Sequence, residues 1–213
     1  MLLAVTISDS NYPVVLKEIF DPPKVLYVNG QLPKGRMVAV VGTRKMTVAG
    51  REVTTRLAKG LVEAGFVIVS GMALGVDGAA HEAAIEAGGK TVAVLGAGVE
   101  LVYPREHRAL YNSILAHGAI VSEWPGTTRV SRAMFPARNR IISGLCEAVV
   151  VTEGALDSGS LITARLALEQ GRDVFAVAGS PGADYLIDQG ATPVTDVGKI
   201  LDDLRGAHGN DLG

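Results

Sequence analysis

The segment from Arg129 to Arg140 holds four arginines in twelve residues, no acid, and the pair Phe135-Pro136. Guanidinium groups grip phosphates through a fixed fork of donors, and an aromatic ring offers a flat face to a base. The same segment also reads as a helix start with a solvated charged face, the usual meaning of a charge run. The whole chain carries a formal net charge of −2, so this local positive excess is not background. A second group of residues suits the same kind of ligand. Gly42-Thr43-Arg44, Ser70-Gly71, Gly96-Ala97-Gly98 and Asp157-Ser158-Gly159-Ser160 are small or hydroxylic stretches. At such turns the backbone can approach a ligand closely, and a following helix offers unpaired N–H groups to an anion.

These turns fall where strands are expected to end. Apolar, β-branched runs predict strands at 37–42, 66–70, 91–95, 119–122, 147–151 and 173–177. Between them, helices are predicted at 47–64, 73–87, 104–116, 133–145 and 160–170, with one or two more reaching about 204. Pro104 falls in a first helical turn, where a missing N–H costs nothing. Continuous apolar strands alternating with helices define a mostly parallel sheet covered on both faces. The expected fold is therefore α/β, doubly wound, with an extended Rossmann-like sheet. Residues 1–35 hold four of the nine prolines and are expected as an N-terminal extension packing on the core, with a helix near 13–20 and a strand near 24–28. Residues 36–205 are expected to form the core domain and 206–213 a flexible tail. Ligands in such sheets bind beyond the carboxyl ends of the strands, which puts Arg44, Phe135, Arg138, Asn139, Arg140 and Ser158 to Ser160 on one rim. Asp77 is expected to cap its helix and orient its loop, and one of Ser158 and Ser160 to act as a cap.

Other classes are harder to fit. The composition, 48% hydrophobic with 26 glycines, suits a single large α/β domain whose core needs no disulfide staples. The single cysteine, Cys146, lies beside an apolar strand and reads as a small buried hydrophobe. One cysteine forms no intramolecular disulfide, which fits a reducing cytoplasm. The N-terminus lacks a basic stretch followed by a long apolar core, and no apolar run approaches the ~20 residues of a membrane span. The turn after the first core strand lacks the second and third glycines of a dinucleotide fingerprint, and no Walker A pattern occurs. His81, His107, His117 and His208 have no partners at metal-ligand spacing, and His81 reads as a packing or surface residue. No nucleophile, base and oxyanion hole assemble. No catalytic residue, metal or cofactor is expected.

Several motifs occur together in a particular order: Gly42-Thr43-Arg44, Ser70-Gly71-Met72-Ala73 through Asp77 to His81, Val94 through Gly98, Val102-Tyr103-Pro104, Phe135-Pro136-Ala137-Arg138-Asn139-Arg140-Ile141-Ile142, Ser158 through Ala164, and Glu169 through Val177. In this order and spacing they resemble the DprA (Smf) family of bacterial DNA-processing proteins, over roughly residues 9 to 195. The resemblance implies an extended Rossmann fold that binds single-stranded DNA in a positive pocket at the sheet's rim. It further implies a homodimer that protects incoming DNA and loads the RecA recombinase in natural transformation and homologous recombination, without catalysis. By position, Gly42, Thr43, Arg44, Ser70, Gly71, Phe135, Arg138, Asn139, Arg140, Ser158, Gly159 and Ser160 would line the pocket.

The chain departs from the family pattern in places. Leu74 stands where an arginine is frequent, Cys146 where a serine is common, and Asp184 where an asparagine is usual. On this resemblance the sequence is expected to correspond to the family's core, without the winged-helix and N-terminal helical domains common in the family. Arg44, Arg138 and Arg140 are expected to hold successive phosphates, helped by the amides of Thr43 and Ser160. Phe135 either stacks on a base or packs beneath the arginine loop, while Arg129 and Arg132 add to the local field. Two rival readings use the same anion cleft: a small-nucleotide sensor, and a nucleoside-monophosphate phosphoribohydrolase. The stretch Ser158 to Arg165, where the hydrolases carry a catalytic glutamate, contains no acid, although Glu153 and Asp157 lie nearby.

Overall fold

The computed structural model describes residues 2–206; the expected tail beyond Gly206 lies outside them. One nine-stranded sheet runs through the molecule in the order β1-β2-β6-β5-β4-β3-β7-β8-β9. The central strands are β3 (Met37–Val41), β4 (Val67–Ser70), β5 (Thr91–Leu95), β6 (Gly118–Ser122), β7 (Ala148–Val151) and β8 (Asp173–Ala176). They pair in parallel, and β9 (Thr192–Pro193) extends the same run. The expected doubly wound α/β fold is the observed one.

Two strands at the other edge run antiparallel. In residues 1–35, β2 (Val25–Gly30) pairs with β6, and β1 (Leu2–Thr6) pairs with β2. The sequence reading placed a strand near 24–28 but none at 2–6. The first strand is short and its outer residues are exposed, so it lacks the buried apolar run that marks the central strands. The helix expected at 13–20 shrinks to α1 (Val14–Lys17).

Alternate residues of each central strand feed opposite cores. Ala39 and Val41 pack with Val149 and Val151 on one face, and Val38 and Val40 with Ala148 and Val150 on the other. Helices α5 (Met134–Gly144), α6 (Gly159–Glu169) and α7 (Pro181–Asp188) cover the first face. Helices α2 (Val48–Glu63), α3 (Val76–Glu86) and α8 (Val197–Gly206) cover the second. On that same face, at the β5–β6 end, α4 (Arg108–His117) sits over a smaller core built on Leu110, Tyr111 and Ile114. Pro104 does not start α4; a short 3-10 turn, Arg105–His107, precedes it. No described helix is long and apolar enough to cross a membrane.

The chain leaves β3 toward β4 on one side and returns to β7 on the other. The loops after β3 and β7 therefore diverge, and a crevice opens between them at the carboxyl end of the sheet. Open α/β sheets place ligands at this switch point.

Candidate nucleic-acid interface

A cavity of about 530 Å³ occupies that crevice. The end of β3 supplies Gly42, Thr43, Arg44 and Lys45, the loop after β7 supplies Asp157 and Ser158, and α6 opens with Gly159 and Ser160. Helix α5 contributes Phe135, Arg138 and Asn139. A smaller cleft of about 90 Å³, walled by Leu74, Tyr103 and Gly96, lies on the other side of Phe135.

Phe135 is the partition between the two spaces. The Arg44 guanidinium lies over its ring at 5.2 Å from the centroid, and Tyr103 tilts against it at 6.0 Å. This stacking keeps Arg44 at the mouth without a carboxylate partner: among the described residues, neither Arg44 nor Lys45 forms an ion pair. Cation–π contact of this kind stabilises by ~0.5–1 kcal/mol when exposed.

The far wall is the start of α6. Ser158 is its N-cap, its Oγ accepting from the Ser160 amide at 3.2 Å and lying 2.7 Å from the Ser160 hydroxyl. Asn139 Nδ2 donates to the Gly159 carbonyl at 3.2 Å and ties α5 to that turn. Helix N-termini present unpaired N–H groups and a partial positive charge, a ready place for an anion. The two amides expected to hold phosphate are engaged elsewhere. Thr43 N–H donates to the Glu153 carbonyl at 2.7 Å, and Ser160 N–H serves its own cap.

Arg138 is not at the surface. It is 5% exposed. Its guanidinium donates to the carbonyls of Gly71, at 2.7 Å, and Val94, and its Nε lies 3.3 Å from Asn139 Oδ1. Burial pulls its pKa down to about 10, opposed by Asp77, so the group stays charged at neutral pH. Asp77 is also buried: desolvation pushes its carboxyl pKa upward, while Arg138 opposes that shift. Asp77 accepts from the Ala73 amide at 3.2 Å, so it orients its loop as expected. Its helix α3 is capped by Gly75, whose φ of +80° suits glycine.

These groups secure the loop after β4. Arg138 holds Gly71, Asp77 holds Ala73, and His107 Nδ1 lies 3.0 Å from the Met72 carbonyl. Met72 itself has φ of 57°, an uncommon conformation for a non-glycine residue. A side chain on Gly71 would collide with the Arg138 guanidinium. Ser70, expected on the cavity wall, is fully buried and donates to the Val40 carbonyl at 2.7 Å. Ser70 and Gly71 thus support the loop instead of lining the main cavity.

Arg140 is turned away from the cavity. Its guanidinium meets Glu123 at 2.8 Å and Asp21 at 3.0 Å, joining α5 to the loop before β2. Two residues along a helix advance by ~200°, so Arg138 and Arg140 must face opposite ways. Lys45, Tyr103 and Asp157 were missed by the sequence reading as individual site residues. Lys45 follows Arg44 directly, and that adjacency was the available signal. Tyr103 becomes a neighbour of Phe135 only through the fold. Glu153 accepts from the amide and hydroxyl of Thr47, the N-cap of α2, each at 3.0 Å, and does not line the cavity. Among the described residues no group of three or more His, Cys, Asp or Glu is placed to hold a metal ion.

Fold and site together define a Rossmann-like α/β protein with a polar, aromatic-edged cavity at its switch point. The chain belongs to the DNA recombination-mediator protein A family, whose model it matches over residues 3–205. It is 46% identical over 209 residues to the DNA processing protein DprA of Bacillus subtilis, a match covering 94% of this chain and 70% of that protein. The X-ray structure of DprA from Streptococcus pneumoniae superposes with a TM-score of 0.88 at 42% identity, covering 94% of this chain and 74% of that one. DprA from Helicobacter pylori, described for its unique single-stranded DNA binding mode, superposes with a TM-score of 0.87 at 30% identity, covering 97% of both chains.

Proposed function

We propose that the cavity binds single-stranded DNA, and that the chain is a DNA-binding recombination mediator and not a hydrolase. The observation that carries this reading is Arg44 lying over Phe135 at the mouth of a cavity whose far wall is the start of α6. A phosphate seated between Arg44, Lys45 and the first turn of α6 would leave its base beside the half-buried ring of Phe135, able to share its face with Arg44. Stacking on an aromatic face is worth ~1–3 kcal/mol per base and tolerates any sequence. Arg138 acts from beneath, by holding the loop after β4 and by adding positive potential, instead of touching the strand.

Membership of the family and the described behaviour of the H. pylori protein support the same ligand. Homodimerisation and RecA loading onto incoming DNA are part of the proposal on the strength of the family resemblance. The test is fluorescence anisotropy of a labelled oligo-dT at two salt concentrations, with the wild type and Arg44→Ala. Binding that weakens with salt, and weakens further in Arg44→Ala, is expected. No wild-type binding at low salt would overturn the reading. Release of free base from a nucleoside monophosphate, with Asp157 as the acid on the cavity wall, would favour the hydrolase. Sedimentation of the wild type, and RecA filament formation on single strands with and without it, test the other two parts.

A further inference from the structure

Six cations at the carboxyl rim of the sheet share one property. Arg44, Lys45, Arg105, Arg108, Arg129 and Arg132 are all exposed, and among the described residues none of them forms an ion pair. Elsewhere the arginines are largely taken up: Arg36, Arg51, Arg140, Arg165 and Arg172 each meet a carboxylate. Among the described residues the other exposed arginines outside ion pairs are Arg56, which donates to the Thr195 carbonyl, and Arg205, so most of the unpaired arginines of a chain of net charge −2 lie at one end.

The last four of these cations lie on the loops and helix start that follow β5 and β6, beyond the smaller cleft that Tyr103, Pro104 and Phe135 line. The loops after β5 and β6 are stitched together by the amides of Gly98, Val99 and Glu100, which donate to Thr128, Trp124 and Gly126 at 2.8, 3.1 and 2.8 Å. Arg105 and Arg108 flank His107, which contacts the Met72 carbonyl in the loop between the two clefts. Arg129 and Arg132 lead into Phe135 through the turn in which Met134 N–H donates to Ser131 at 3.2 Å. Glu100 and Glu106 are the acids in these two loops. Glu123, at the base of the second, is occupied by Arg140, so Arg140 removes an opposing charge from this surface.

Resting on the single-strand reading above, we propose that these four arginines form a track carrying the strand out of the cavity, across the ends of β4, β5 and β6. Three strand spacings amount to roughly 14 Å, room for two or three further phosphates of an extended chain. The exposed Leu74 and Tyr103 lie along the way and supply apolar surface for bases between the charges. Arg129 and Arg132, assigned by sequence only to the general field, become contacts of the track.

The track predicts a dependence on strand length. Anisotropy is measured with oligo-dT of about four nucleotides, enough for the cavity alone, and of about twenty, for the wild type, Arg105→Ala/Arg108→Ala, Arg129→Ala/Arg132→Ala and the quadruple variant. Each double variant is expected to weaken the long oligonucleotide by roughly tenfold at low salt and to flatten its log–log salt slope by about 1.4. The short oligonucleotide should bind all variants alike. Lysine at the same four positions should restore the slope. An unchanged long-strand affinity in the quadruple variant, or an equal fall for both lengths, would overturn the track alone. Failure of the wild type to bind either length would overturn the cavity reading and the track with it. The four side chains are exposed, so unchanged thermal melting is the control on folding.

Discussion

Arg138 and Arg44 stand on opposite sides of one cavity. Arg138 is 5% exposed, with its fork spent on the Gly71 and Val94 carbonyls; Arg44 is exposed, its only partner among the described residues the face of Phe135. The floor of the site is a set of buried polar groups, Arg138, Asp77 and Ser70, whose hydrogen bonds hold a loop that contains a left-handed methionine. The mouth is a set of cations whose hydrogen bonds remain open. The difference teaches that one residue type performs two tasks, and that burial decides which. A buried, hydrogen-bonded guanidinium organises the site. An unpaired one remains available to a ligand.

The sharpest way to break this division is Arg138→Ala. It would leave the Gly71 carbonyl without its donor and Asp77 without the positive charge that offsets its burial. A stability loss of about 3–5 kcal/mol is expected, read by chemical denaturation. Arg138→Lys should recover little, because an ammonium cannot bridge two carbonyls as a fork does. Near-wild-type stability with lost DNA binding would place Arg138 with the mouth after all.

The floor should also respond to acid. His81 is fully buried, and its Nδ1 lies 2.6 Å from Thr91 Oγ1, which itself donates to the Ile68 carbonyl at 2.8 Å. His81 Nδ1 therefore carries the proton, and its Nε2 has no partner among the described residues. Burial pushes the pKa from 6.5 down to about 3, with His107 and Arg138 adding to the shift. Between these values the unfolded chain takes up a proton that the folded one refuses. Stability is complete above pH 6.5 and falls as pH drops toward 3, by about 2 kcal/mol at pH 5. Asp77, shifted upward, opposes this trend, so the measurement is the difference from His81→Asn. The variant should be less stable at pH 7 but flatter between pH 6.5 and 4.5. Equal slopes would show that His81 is not the group responsible.

The sheet was legible because buried parallel strands are continuous apolar runs, and Val38 to Val41 or Val149 to Val151 announce themselves. The outer strands were less legible. β1 relies on pairing with β2 and not on its own burial, and β9 has two residues. At the site, the sequence placed Gly42 to Arg44, Phe135 and Ser158 to Ser160 correctly on one rim, because strand ends converge there. It did not foresee that Arg140 is paired with Asp21 and Glu123 from distant segments and turned away from the cavity. It also took Arg138 for a surface contact, since charge in a sequence says nothing of depth.

At the mouth, Phe135→Ala tests whether the ring is a platform or only a partition. A loss of about 1–3 kcal/mol in oligo-dT affinity is expected, with the salt slope unchanged because no charge is removed. An unaltered affinity would assign the ring to packing. Arg140→Ala should do the reverse. It lowers stability by about 1–2 kcal/mol, by releasing Glu123 and Asp21, and leaves the short oligonucleotide's affinity for folded protein intact. A marked loss of that affinity would return Arg140 to the ligand.

The finest separation is Arg44→Lys. If Arg44 acts chiefly as a charge, lysine should match it in both affinity and salt slope. The stacked geometry argues otherwise: a planar guanidinium can lie on Phe135 and still direct its donors to a phosphate, whereas an ammonium must leave the ring to do so. The expected result is an unchanged salt slope, since one cation still meets one phosphate, with affinity lower by a few-fold, under about 1 kcal/mol. In the Phe135→Ala background the same replacement should cost nothing further. A double-mutant cycle that instead gives additive losses would show that Arg44 and Phe135 act independently, and that the ring does not orient the cation for the strand.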